Sequence, residues 1–140
     1  MRHLVLASHA HFAQGIAESL ELLAGHPCEL HTINAFVDGA TDVVEQITEL
    51  LTAIPSEDEI VVATDLLGGS VNNEFLNRIQ NQTNIHLVAN MNLPMLLTLA
   101  LSINDVPNLQ QFLRELVADP DITPKYCNDL LASTSEDDDF

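Results

Sequence analysis

His9, Asp65 and the run Gly68-Gly69-Ser70 are the residues whose types and spacing could do chemistry. A neutral imidazole nitrogen is a competent nucleophile when its other nitrogen has a partner that fixes the tautomer. A carboxylate such as Asp65 could accept that N–H, orient the ring and stabilise positive charge developing on it. Two glycines let a backbone approach an anion closely, and the unpaired first amides of a following helix point at it. Ser70 adds a hydroxyl donor or caps the helix. Nucleophile, orienting acid and anion cradle are the parts of phosphoryl transfer, which asks the protein mainly for positioning and charge. Each part also has a plainer account: a structural histidine, an aspartate closing a turn, a loop built on Gly-Gly-Ser.

These residues need elements that bring them together. Residues 4–7 (Leu-Val-Leu-Ala), 60–63 (Ile-Val-Val-Ala) and 85–89 (Ile-His-Leu-Val-Ala) are short apolar runs without alternation, as in strands buried on both faces. Residues 30–36 are more mixed and suit a strand nearer an edge. Between the runs the spacing turns helical. Phe12, Ile16, Leu20, Leu23 and Ala24 lead to a stop at Gly25; Val43, Val44, Ile47, Leu50, Leu51 and Ile54 follow a cap at Thr41 or Asp42 and end at Pro55. Val71, Phe75, Leu76 and Ile79 mark a third helix, residues 94–101 a fourth, and Leu109, Phe112, Leu113, Leu116 and Val117 a fifth. Residues 125–132 fit either a helix or an exchanged edge strand.

Alternating strands and helices imply an α/β fold: a single doubly wound domain with a mostly parallel central sheet of four or five strands flanked by helices. The expected domain covers residues 1–132, and residues 133–140 form an acidic tail. In such sheets ligands bind beyond the carboxyl ends of the strands. His9 follows the first run, Asp65 the third strand in chain order, and Asn90 to Pro94 the fourth. The candidates therefore share one edge. His3 begins a strand and lies at the wrong end. His11 invites a metal reading with His9 and Asp65, but no further ligands stand at the usual spacing, so neither metal nor cofactor is expected. Asn72, Asn73, Asn90 and Asn92 could line the pocket or cap helices, and capping is the simpler reading.

Four Lys/Arg against 21 Asp/Glu give a formal charge of −17. That field repels nucleic acid and anionic membranes and favours basic protein partners. Cys28 and Cys127 could pair only if the fold brings them together, and a reduced, cytoplasmic protein is the simpler expectation. No signal peptide is visible at the start, and the longest apolar stretch, residues 93–103, is too short to span a bilayer.

Residues 7–15 (Ala-Ser-His-Ala-His-Phe-Ala-Gln-Gly) resemble the (Gly/Ser)-His-Gly-x-(Phe/Leu)-Ala-x-Gly opening of IIA domains of the mannose/fructose/sorbose-family sugar phosphotransferase system. Residues 64–70 (Thr-Asp-Leu-Leu-Gly-Gly-Ser) resemble the family's Asp-x-x-Gly-Gly-(Ser/Thr) segment, and residues 89–96 (Ala-Asn-Met-Asn-Leu-Pro-Met-Leu) its Gly-x-Asn-(Leu/Ile)-Pro-Met-(Leu/Val) segment. Order and spacing agree over about residues 1 to 118. The resemblance implies a phosphotransferase that takes phosphate from the histidine-containing phosphocarrier protein and passes it to a IIB component for sugar uptake. It aligns His9 with the phosphorylated histidine, Asp65 with its partner, and Gly68, Gly69 and Ser70 with the phosphate-binding segment. It also implies a homodimer that meets the membrane only through a transporter complex.

There are departures. Val71 stands where a proline often follows Gly-Gly-Ser. Ala10 replaces the usual glycine, so the turn there must avoid positive φ or hold it under strain. Residues from Asp119 on match poorly, leaving strand exchange open. No IIB-like stretch lies in the chain, so the acceptor is expected to be separate. A related domain feeding dihydroxyacetone kinase typically has Ser-His-Ser and lacks the Asn92-Leu93-Pro94-Met95 kind of segment. A purely regulatory module, a metal-binding hydrolase and a receiver phosphorylated on Asp65 are three more functions that these residue types could serve. The receiver would want an acidic pair where Ser8 and His9 stand.

Overall fold

The structure is a computed structural model that describes residues 1–39 and 42–131. Its elements run β1 Arg2–His9, α1 Phe12–Ala24, β2 Glu29–Ala35, α2 Val43–Ala53, β3 Glu59–Thr64, α3 Ser70–Ile79, β4 Ile85–Val88, α4 Leu93–Ser102 and α5 Leu109–Ala118, then a 3-10 turn Pro120–Ile122. Among the described residues the sheet has four strands, all parallel, in the order β2-β1-β3-β4. The chain winds outward from β1 to β2 and, in the other direction, from β3 to β4. Right-handed crossovers therefore put α1 and α3 on opposite faces. α1, α4 and α5 cover one face over Leu4, Leu6, Val61 and Ala63; α2 and α3 cover the other over Val5, Ala7, Ile60 and Val62. β1 and β3 are buried on both sides, which is why their sequences do not alternate.

Local stops follow the sequence. Gly25 takes φ 71 and ends α1. Asp42 caps α2 by accepting from the Val44 amide at 3.1 Å, and Thr41 lies outside the described residues. Asn92 accepts from the Met95 amide at 2.9 Å and caps α4, with Pro94 in the first turn. The other three asparagines do different work. Asn90 accepts from the Leu67 amide, Asn73 donates to the Gly68 carbonyl, and Asn72 is buried and accepts from the Thr64 hydroxyl. Residues 127–131 are helical, so of the two expectations for this segment the helix is found there. Ala132 and the acidic tail, 133–140, lie outside the described residues. Cys28 and Cys127 are both free thiols.

The pole away from the carboxyl ends holds a partly buried polar cluster. His3 Nε2 lies 2.8 Å from Asp58 Oδ2, His3 Nδ1 lies 3.1 Å from His31 Nε2, and the Met1 amine donates to Asp58 Oδ1 at 3.2 Å. The hydrogen bond from His3, helped by the N-terminal amine, holds the Asp58 carboxyl below its ordinary range. Burial pushes the His31 imidazole down, and nearby His3 adds to it. Both groups bind protons less readily folded than unfolded. The stability these two groups contribute is therefore fully present above the ordinary histidine value of 6.5 and is lost as pH falls below it, first through His31 and at lower pH through Asp58. His31→Gln keeps an N–H donor for His3 and removes the titration. Its thermal midpoint is expected to fall less than the wild type's between about pH 7 and 5, measured by circular dichroism.

Candidate active site

His9 closes β1 and Asp65 is the first residue past β3, so the two neighbouring strands deliver them side by side at the carboxyl edge. The His9 backbone N–H donates to Asp65 Oδ2 at 2.9 Å, and His9 Nδ1 lies 3.0 Å from the same oxygen. A carboxylate only accepts, so Nδ1 carries the ring proton of the neutral imidazole. The lone pair is then on Nε2, which lies 3.2 Å from Ser70 Oγ. Asp65 Oδ1 is buried with no hydrogen-bond partner among the described residues. The hydrogen bonding of the carboxylate to the protein runs through Oδ2 to His9. The imidazole is 40% exposed and Asp65 16%, so a second macromolecule can reach Nε2 while the acid stays behind it.

The candidate anion cradle is the turn into α3. Gly68 takes φ 81, a conformation that strains any residue with a Cβ. Gly69 precedes the helix with φ −73, so its need for glycine is spatial. A Cβ there would sit 3.1 Å from His9 Cε1 and 3.2 Å from the Leu66 carbonyl oxygen. Ser70 and Val71 open α3, where amides lack partners within the helix. Valine keeps an N–H there that a proline would not have.

The structure brings His9, Asp65, Gly69 and Ser70 together, with Gly68 shaping the turn. His11 is elsewhere: its Nε2 pairs with Asp38 Oδ2 at 2.5 Å, not with the His9–Asp65 pair. Among the described residues no group of three or more His, Cys, Asp or Glu is placed to hold a metal ion. Ala10 adopts the strained option, φ 51, and its N–H donates to the Ala35 carbonyl at 2.9 Å. Buried Ser8 supports the turn by accepting from the Ala13 amide at 2.7 Å.

One neighbour was not expected from the sequence. Phe36 is not the end of β2, which stops at Ala35. It turns to φ 67, and its ring lies against His9, with centroids 5.6 Å apart and planes 37° from parallel. The nearest signal in the sequence is an aromatic just past a strand that ends beside β1. Phe12, at the start of α1, and Leu66 and Leu67, in the turn after β3, are exposed as well.

Residues 3–117 match the model of the EIIA-man family, described as the phosphotransferase system fructose IIA component. The sorbose-specific EIIA component of Lacticaseibacillus casei is 23% identical over 138 residues, covering 98% of this chain and 99% of that protein. A crystal structure from Klebsiella pneumoniae, named for a phosphoenolpyruvate-dependent sugar phosphotransferase system permease, superposes with TM-score 0.84. It is 35% identical over 93% of each chain. The phosphotransferase system component EIIA from Streptococcus agalactiae gives TM-score 0.72 at 30% identity, covering 84% of this chain and 91% of that one.

Proposed function

The chain belongs to the EIIA-man family, the phosphoryl-carrying IIA components of the sugar phosphotransferase system, and on that premise we propose that it carries phosphate on Nε2 of His9. The donor in this reading is the histidine-containing phosphocarrier protein and the acceptor a IIB component. The observation that carries it is the single carboxylate oxygen of Asp65 shared by the His9 backbone N–H and Nδ1, which leaves Nε2 as the free nitrogen beside Ser70. The Nε2 lone pair attacks the donor's phosphorus, the new N–P bond forms, and the donor nitrogen keeps the electron pair of the bond that breaks. The imidazole becomes cationic, and Asp65 lies against the N–H that shares that charge. Ser70 and the first amides of α3 are placed for the phosphoryl oxygens.

The test mixes the protein with phosphoenolpyruvate, enzyme I and the phosphocarrier protein, then maps added mass by intact and peptide mass spectrometry under alkaline conditions. Acid-labile phosphate on His9 is the expected result. A folded protein without label, or with label elsewhere, overturns the reading. In the same assay Gly69→Ala is expected to accept phosphate roughly 10-fold more slowly, because the added methyl displaces the ring from Ser70. Its backbone φ suits alanine, so its melting temperature should be close to wild type.

No helix among the described residues is long and apolar enough to cross a membrane. We place the protein in the cytoplasm, reaching the membrane only through its transporter partners. A homodimer is the assembly we assign to it, which sedimentation of the full chain tests directly.

A further inference from the structure

Among the described residues, those other than glycine with positive φ are Ala10, Phe36, Asp38 and Asn90. They follow β1, β2 and β4, all at the edge that carries His9. Strain of this kind persists where surrounding structure imposes it, and it collects where geometry matters. Asparagine and aspartate tolerate a left-handed backbone; phenylalanine does so poorly. Phe36 is also 61% exposed, so burial does not explain its placement. What the conformation achieves is contact with His9. β1 and β2 end in register, His9 opposite Ala35, and the Ala10 N–H holds the Ala35 carbonyl. The next residue can reach the imidazole only by turning back, and φ 67 makes that turn. Two residues on, Asp38 pairs with His11, which ties this loop to the one following His9.

We propose that Phe36 is a positioning residue that acts through His9: its ring covers one side of the imidazole and sets how long phosphate survives there against water. The proposal rests on the phosphorylation of His9. A phosphohistidine carries a phosphoramidate bond. In its hydrolysis a water oxygen forms a bond to phosphorus and the Nε2–P bond breaks. Nε2 takes back the electron pair, and the proton of the water passes to solvent. A carrier must keep that reaction slow until its acceptor arrives, while leaving Nε2 open to a protein partner. An apolar ring packed on the imidazole limits the water around it, while Ser70 lies at Nε2.

The test phosphorylates wild type, Phe36→Gly and Phe36→Tyr enzymatically, removes the donor proteins, and follows loss of phosphate from His9 by intact mass at constant pH. Glycine accepts φ 67 without strain, and the side chain it replaces is exposed. Phe36→Gly should therefore melt no lower than wild type, yet lose phosphate roughly 3- to 10-fold faster. Phe36→Tyr keeps the ring and should keep the wild-type lifetime. A residue important only for folding would give a lower melting temperature with an unchanged lifetime. Equal lifetimes in wild type and Phe36→Gly, or a tyrosine variant as short-lived as the glycine variant, overturn the proposal. Wild type that takes no phosphate on His9 overturns it together with the reading on which it rests.

Discussion

His9→Ala is expected to accept no phosphate from the phosphocarrier protein, a loss on the order of 10⁴-fold or more in rate. The size follows from the geometry. Nε2 is the one nitrogen of the ring left without a proton, and it lies 3.2 Å from the hydroxyl of Ser70, the first residue of α3. His11, two residues on, cannot substitute, because its Nε2 is engaged by Asp38. His3 and His31 lie at the other end of the sheet in the cluster with Asp58. The fold should survive. The alanine variant loses a side chain that is 40% exposed, and its backbone N–H can still donate to Asp65 Oδ2. The checks are intact mass after incubation with the donor system and a thermal midpoint near the wild-type value. A phosphorylated His9→Ala chain would move the site to another residue.

The carboxyl edge of the sheet was legible because each candidate ends a strand, begins a helix or lies in the short turn between the two. β1 and β3 read as strands from continuous apolar runs, since a parallel sheet interior buries both faces of a strand. His9, Asp65 and the Gly68–Gly69–Ser70 turn then fall into place by chain order alone. Ala10 was legible only as a pair of options, because φ depends on what holds the turn. The hydrogen bond to the Ala35 carbonyl accompanies the strained option. Phe36 was hidden for a physical reason. A phenylalanine after Ile33 and Ala35 has strand propensity and reads as one more strand residue. Its departure from β2 reflects the register of two strands far apart in sequence and a backbone conformation that phenylalanine rarely takes. Asn72 was hidden similarly: asparagine near a helix start suggests a cap, but its side chain is buried against Thr64. Local propensity does not report which way a helix faces the sheet.

Asp65→Asn is expected to keep the fold and to slow transfer by roughly 10- to 150-fold, the equivalent of losing about 1.5–3 kcal/mol from a hydrogen bond to a charged group. The neutral amide fails in two ways. In the proposed transfer the imidazole becomes cationic as phosphate arrives, and an amide oxygen offers it a dipole where a carboxylate offers a full charge. Asp65 Oδ2 also serves two donors at once, the His9 N–H and Nδ1–H. An asparagine turned to present its NH2 instead would face both donors and favour the other ring tautomer, with the proton on Nε2. That tautomer cannot attack phosphorus. The same charge stabilises the phosphorylated form, so the variant should also hold a smaller phosphorylated fraction at equilibrium with the donor. A defect confined to docking would instead raise the half-saturating donor concentration and leave the equilibrium fraction unchanged. Rapid-quench labelling at several donor concentrations measures both quantities. An Asp65→Asn protein with wild-type rate and wild-type equilibrium would show that the His9–Asp65 contact serves the fold alone.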